Sequence, residues 1–179
     1  SGNSPQKTIS TAASNSFYNL TIAASGDVTT STTVDVDVAN TFTVTAGGGA
    51  FTVAAGHKLT LLNATIGGTL TATATTGSAA IISFEDAAST NPTLDVAGTL
   101  VLTGTGTAER NAKILGDNDS EIDVNITGTF TGRNFTFEYP NDDGFHINSA
   151  TEPTIEAGTF DNPTTIGCLL DLSNASNLP

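Results

Sequence analysis

The sequence predicts an all-β fold, wound as a parallel β-solenoid. Three observations predict it: a Gly-Thr-(Leu/Phe) triplet returns at a fixed interval, apolar and polar residues alternate with period two between the returns, and no stretch carries convincing helical spacing. Residues 108–115 come nearest to a helix and are too short to stand alone.

The triplets are Gly68-Thr69-Leu70, Gly98-Thr99-Leu100, Gly128-Thr129-Phe130 and Gly158-Thr159-Phe160, each thirty residues after the last. Asn40-Thr41-Phe42 is a looser copy, and Asn commonly replaces Gly where a turn needs positive φ. Val34, Val36 and Val38 alternate with Asp35 and Asp37, and Leu70, Ala72 and Ala74 alternate with threonines, which is strand patterning with one face buried. A third strand per unit can be drawn from residues 81–85, 144–148 and 169–172. Three short strands in roughly 30 residues describe one coil, and the chain holds about five to six coils. Residues thirty apart then lie on top of one another. Phe42, Leu70, Leu100, Phe130 and Phe160 become a core stack, with Thr41, Thr69, Thr99, Thr129 and Thr159 as an outward ladder. Gly68, Gly98, Gly128 and Gly158 mark a corner that tolerates no Cβ. A shorter coil is possible in the first half, where Val38, Val53 and Ile66 recur at closer spacing.

Composition fits this reading. The 179 residues make one domain (1–179), with an irregular lead-in over 1–16 and a tail over 173–179. Threonine supplies 33 residues, and the β-branched content argues against disorder. Eighteen acidic against five basic residues give a net charge of −13, which argues against a nucleic-acid partner. No window of eighteen apolar residues offers a spanning helix. The lack of Met and the acidic Thr/Gly/Ala/Asn/Asp-rich character point to an exported, cell-surface protein. The start at Ser1-Gly2 suggests processing or a fragment. Sequons at Asn19, Asn63, Asn118, Asn125, Asn134 and Asn174 fit that setting, although a chain so rich in Thr and Ser makes them by chance.

The run Asn15-Ser16-Phe17-Tyr18-Asn19-Leu20-Thr21-Ile22 resembles a phrase that recurs in large repetitive surface proteins of bacteria, similar to adhesin-like and autotransporter-passenger β-helices. Looser Val-x-Val-x-Gly-Thr-Leu units extend the likeness over residues 30–160. The resemblance implies a secreted, right-handed β-helix used in adhesion, stalks or assembly, and brings no catalytic residues with it.

Candidate chemistry is sparse. Asn141-Asp142-Asp143-Gly144 resembles a phrase of β-helical polysaccharide hydrolases, so a carbohydrate-active or carbohydrate-binding site centred on Asp142 and Asp143 is the alternative function. It stands without a second acidic group at a matching column, and Asp-Gly also serves simply as a turn. Asp117, Asp119, Glu121 and Asp123 alternate in a way that suits calcium, the one cofactor to consider, with a solvated acidic turn as the competing reading. His57 and His146 lack a partner His or Cys at ligand spacing, and Cys168 reads as a small core residue. The threonine ladder raises ice binding as a third function. Its neighbouring column, Thr43, Thr71, Val101, Thr131 and Asp161, is interrupted twice, once by a charge.

No amphipathic capping helix is evident at residues 1–16 or 173–179. The expectation is that the coils continue into a longer chain or pair with another copy. Taken together, the sequence predicts a non-enzymatic structural module of the cell surface, acting in adhesion or in an extracellular filament. Its partners would be itself, neighbouring repeats, a carbohydrate or a host surface.

Overall fold

Alternation in the sequence becomes alternation of burial. In Ile122-Asp123-Val124-Asn125-Ile126 every second residue is buried and those between are exposed; in Thr99-Leu100-Val101-Leu102-Thr103 the two leucines are buried and the residues around them half-buried. The computed structural model describes residues 7–9, 15–23, 29–47, 49–85, 91–106, 109–116, 121–138, 140–161 and 170–172. Among them there are eighteen strands and no helix.

The first strands are β1 (Lys7–Ile9), β2 (Asn15–Ile22), β3 (Thr29–Thr32), β4 (Val36–Val44), β5 (Ala50–Val53) and β6 (Lys58–Ile66). Next come β7 (Thr69–Thr73), β8 (Ala80–Phe84), β9 (Thr93–Val96), β10 (Thr99–Thr103), β11 (Ala112–Gly116) and β12 (Ile122–Ile126). The last are β13 (Thr129–Arg133), β14 (Phe135–Glu138), β15 (Pro140–Ile147), β16 (Thr154–Glu156), β17 (Thr159–Asp161) and β18 (Leu170–Asp171).

The strands form two sheets that nearly close around one hydrophobic core. The smaller runs β1-β3-β5-β7-β10-β13-β16, entirely parallel and always forward along the chain. The larger divides at β6. Residues Lys58–Leu61 pair with β8, whose ladder goes on to β11, β14 and β17, whereas Asn63–Ile66 pair with β9, followed by β12, β15 and β18. The long strands β2 and β4 stack on β6 along both halves, with a register shift at the join. The only antiparallel contact among the described residues is an isolated bridge between Thr75 and Ser78.

Three in-register files run through the middle of the core. One is Phe51, Leu70, Leu100 and Phe130. A second is Val36, Leu59, Ile82, Ile114, Phe137 and Phe160. The third is Leu20, Phe42, Ala64, Leu94, Val124, Phe145 and Leu170. Toward the C-terminal strands the files thicken into aromatics. Phe130, Phe135, Phe137, Phe145 and Phe160 make edge-on or tilted contacts at 4.8–6.4 Å.

These registers redraw the stack expected from the thirty-residue interval. Leu70, Leu100 and Phe130 are indeed vertical neighbours, but Phe42 stands between Leu20 and Ala64, and Phe160 faces Phe137, both in the larger sheet. Only the middle strands pair thirty apart, as Thr69 with Thr99 and Thr99 with Thr129. Elsewhere the offset differs: Lys7 faces Thr30, Ala50 faces Thr69 and Thr131 faces Thr154 at closer spacing, while Ala80 faces Ala112 at a slightly wider one. The longer middle offset accompanies the loops that separate β7 from β8 and β8 from β9.

Three of the four glycines do form a column. Thr99 N–H donates to the Gly68 carbonyl and Thr129 N–H to the Gly98 carbonyl, each at 2.8 Å. A Cβ at Gly98 would fall on the Gly68 carbonyl oxygen, and one at Gly128 on that of Gly98. The chain turns this corner backbone against backbone. Gly158 lies elsewhere, over the Phe135 ring, and follows Ala157 at φ 52°.

Candidate functional site

Among the described residues, the outward positions of the smaller sheet make a regular surface. Inward Leu, Ala and Phe leave three outward files: Ala50, Thr69, Thr99, Thr129; then Thr52, Thr71, Val101, Thr131, Thr154; then Thr73, Thr103, Arg133, Glu156. From β5 to β16 the pairing has no register shift, so hydroxyl and methyl groups repeat with the strands. The only charges in these files are Arg133 and Glu156, which pair at 2.8 Å on the rim.

The threonine ladder is therefore not the one expected. Thr41 and Thr43 face Asn63 and Thr65, while Thr159 and Asp161 face Thr136 and Glu138, all in the larger sheet. The file containing Thr71 and Thr131 continues into Thr52 and Thr154, with Val101 its one interruption and no charge.

The larger sheet offers a contrast. Its outward file Thr43, Thr65, Asp95, Asn125, His146, Asp171 becomes charged toward the C-terminal strands. There His146 Nδ1 lies 3.2 Å from Asp171 Oδ2. A second histidine–carboxylate pair, His57 Nδ1 and Asp35 Oδ1 at 3.7 Å, borders a shallow cleft of about 450 Å³ that also touches Lys58, Gly77, Ser78 and Ile81. The Asp35 carboxylate accepts the Lys58 amide at 2.8 Å, fixing it against the turn before β6. Sequence inspection for His or Cys partners passes over both pairs. The signal was a carboxylate about one strand offset away, 22 residues for Asp35–His57 and 25 for His146–Asp171.

One buried polar residue organises the loops. Asn111 Nδ2 donates to the Thr75 carbonyl at 2.7 Å and to Glu109 Oε2 at 3.1 Å, and Asn111 Oδ1 accepts the Thr105 amide at 2.9 Å. Glu109 Oε2 also accepts the Gly77 amide at 3.1 Å. The turn after β7 is thereby clamped to the turn after β10.

The remaining predicted residues divide as follows. Asp123 is exposed in β12 facing Thr93, and Glu121 stands two residues before it. Asp117, Asp119 and Cys168 lie outside the described residues. The backbone of Asp142 and Asp143 belongs to β15, but their side chains lie outside the described part. Among the described residues no three His, Cys, Asp or Glu side chains are grouped to hold a metal ion.

No protein-family model, curated protein or solved structure matches this chain.

Proposed function

We propose that the ladders wind as a right-handed parallel β-solenoid, and that the protein is a secreted structural module of the cell surface, acting in adhesion or as a subunit of an extracellular filament. The observation that carries the reading is strand order. Pairing always advances along the chain, and β1 and β16 stand at opposite ends of their sheet, whereas a closed barrel would return its last strand to its first. Counting the two halves of β2, β4 and β6 separately gives three ladders of seven strands, a rod roughly 30 Å tall at ~4.8 Å per step.

Such a rod ends in edges. Among the described residues β1, β2, β16, β17 and β18 each have a strand partner on one side alone. Burial also falls off at these ends: Phe17, Leu20, Ile22, Phe160 and Leu170 are half-buried, and Ile155 is 37% exposed at an inward register position. Edge strands template further pairing, and joining the two unlike ends is a head-to-tail contact that does not close, giving a fibre or continuity with neighbouring repeats.

Size-exclusion chromatography with negative-stain imaging over a concentration series tests this. Rods that lengthen with concentration are expected, lost in Leu100→Asp, where a buried charge without a partner breaks the stack, and unaffected by Asp143→Asn. A strictly monomeric species that cleaves a polysaccharide, and loses that activity in Asp143→Asn, would replace this reading with an enzymatic one.

A further inference from the structure

We infer that the outward face of β5, β7, β10 and β13 binds the surface of crystalline water, making the protein an ice-binding one whatever its assembly state. The inference rests on register and on where charge is absent, and it is independent of the filament reading.

Two repeats define the face. Neighbouring strands place equivalent side chains ~4.8 Å apart, and alternate residues of one strand stand ~6.6 Å apart. Thr69, Thr71 and Thr73 therefore form a row above Thr99, Val101 and Thr103, with Thr129 and Thr131 in the next. The first repeat lies near the shorter oxygen repeat on the prism faces of hexagonal ice, and the second falls about a tenth below the longer one. The larger sheet has register shifts at β2, β4, β6 and β15; the smaller has none from β5 to β16. The sheet that carries the threonine array is thus in register throughout, whereas the larger sheet keeps register only in its β6-β8-β11-β14-β17 and β6-β9-β12 runs.

Charge supplies the second, independent observation. In a chain of net charge −13, the outward positions of β5, β7, β10 and β13 hold one ionised group, Arg133 at the end of β13, which is paired with Glu156. The propensity of threonine for strands does not account for this, because outward strand positions of the larger sheet carry Asp95, Asp123, His146 and Asp171. An ion orients its own hydration shell and breaks a water lattice; a threonine offers one hydroxyl to the lattice and one methyl that fills a gap in it. The occupant is selected by exclusion as well. Those positions carry no aromatic ring to stack on a sugar, and their one cation, Arg133, is already held by Glu156 rather than free for a phosphate or an acidic partner.

The test measures thermal hysteresis and partition into a slowly growing ice hemisphere. It uses the whole chain and the variants Thr131→Lys, Thr71→Lys and Thr65→Lys, the last being exposed on the larger sheet. Wild type is expected to enter the ice and to show hysteresis. Both face variants, folded by circular dichroism, should lose roughly tenfold or more, since a lysine ammonium must shed water to sit on the lattice. Thr65→Lys should match wild type. Should either face variant fail to fold, the other and the wild-type partition still decide. Wild type rejected from ice overturns the inference, as does equal behaviour of Thr65→Lys and Thr131→Lys. So does a dimer abolished by Thr131→Lys, which would make the face a self-interface, or retention on crystalline polysaccharide that is lost in the same variant.

Discussion

Replacing Leu100 by alanine removes apolar bulk from the middle of the Phe51–Leu70–Leu100–Phe130 file, where Leu70 and Leu100 are 0% exposed and Phe130 is 1%. The lost transfer term is about three methylene equivalents, or ~2.4 kcal/mol at ~0.8 each. A cavity term adds to it, because Leu70 and Phe130 are held by parallel ladders on both sides and cannot collapse into the gap; the total is about 3–4 kcal/mol. For a chain of this size that lowers the thermal midpoint by roughly 6–16 °C. The assay is thermal and urea unfolding followed by far-UV circular dichroism, with Val101→Ala as the control. Val101 neighbours Leu100 but points outward between Thr71 and Thr131, so its truncation should cost under ~1 kcal/mol. Coupling sharpens the test. Leu70→Ala with Leu100→Ala should depart from additivity by ~0.5–3 kcal/mol, while Leu100→Ala with Phe42→Ala should be additive if the two residues stay in separate files. Equal losses for Leu100→Ala and Val101→Ala would refute the register on which the architecture rests.

Other perturbations follow from the same structure. Gly128→Ala, with its Cβ on the Gly98 carbonyl oxygen, should destabilise by about 1–3 kcal/mol, read from the urea midpoint. Gly106→Ala meets nothing but has φ 69°, and should cost about 1–2 kcal/mol from backbone strain alone. Asn111→Ala strands the Thr105 amide and leaves the Thr75 carbonyl with the Ser78 N–H alone; a loss of ~1–3 kcal/mol is expected, with faster hydrogen exchange at Thr105. Glu156→Gln, breaking an ion pair whose side chains are 59% and 57% exposed, should change stability by less than ~1 kcal/mol, as double-mutant cycles with Arg133 can measure.

Much was legible in the sequence. Period-two alternation fixed which side chains face inward, because a strand has only two faces, and Val36, Leu70, Leu100, Val124 and Ile126 are all buried as that pattern requires. The glycine column at 68, 98 and 128 was legible too, since a corner that admits no Cβ leaves a mark in composition. What alternation leaves open is which strand lies beside which. A loop can gain or lose residues while the strands on either side keep their pattern, so equal spacing in sequence need not mean equal height in the fold. Gly158-Thr159-Phe160 keeps the triplet and the interval, and Asn40-Thr41-Phe42 comes close to both, but they belong to another sheet. The histidine–carboxylate pairs and the threonine face likewise depend on neighbours one strand away, and backbone pairing, a tertiary matter, chooses those neighbours.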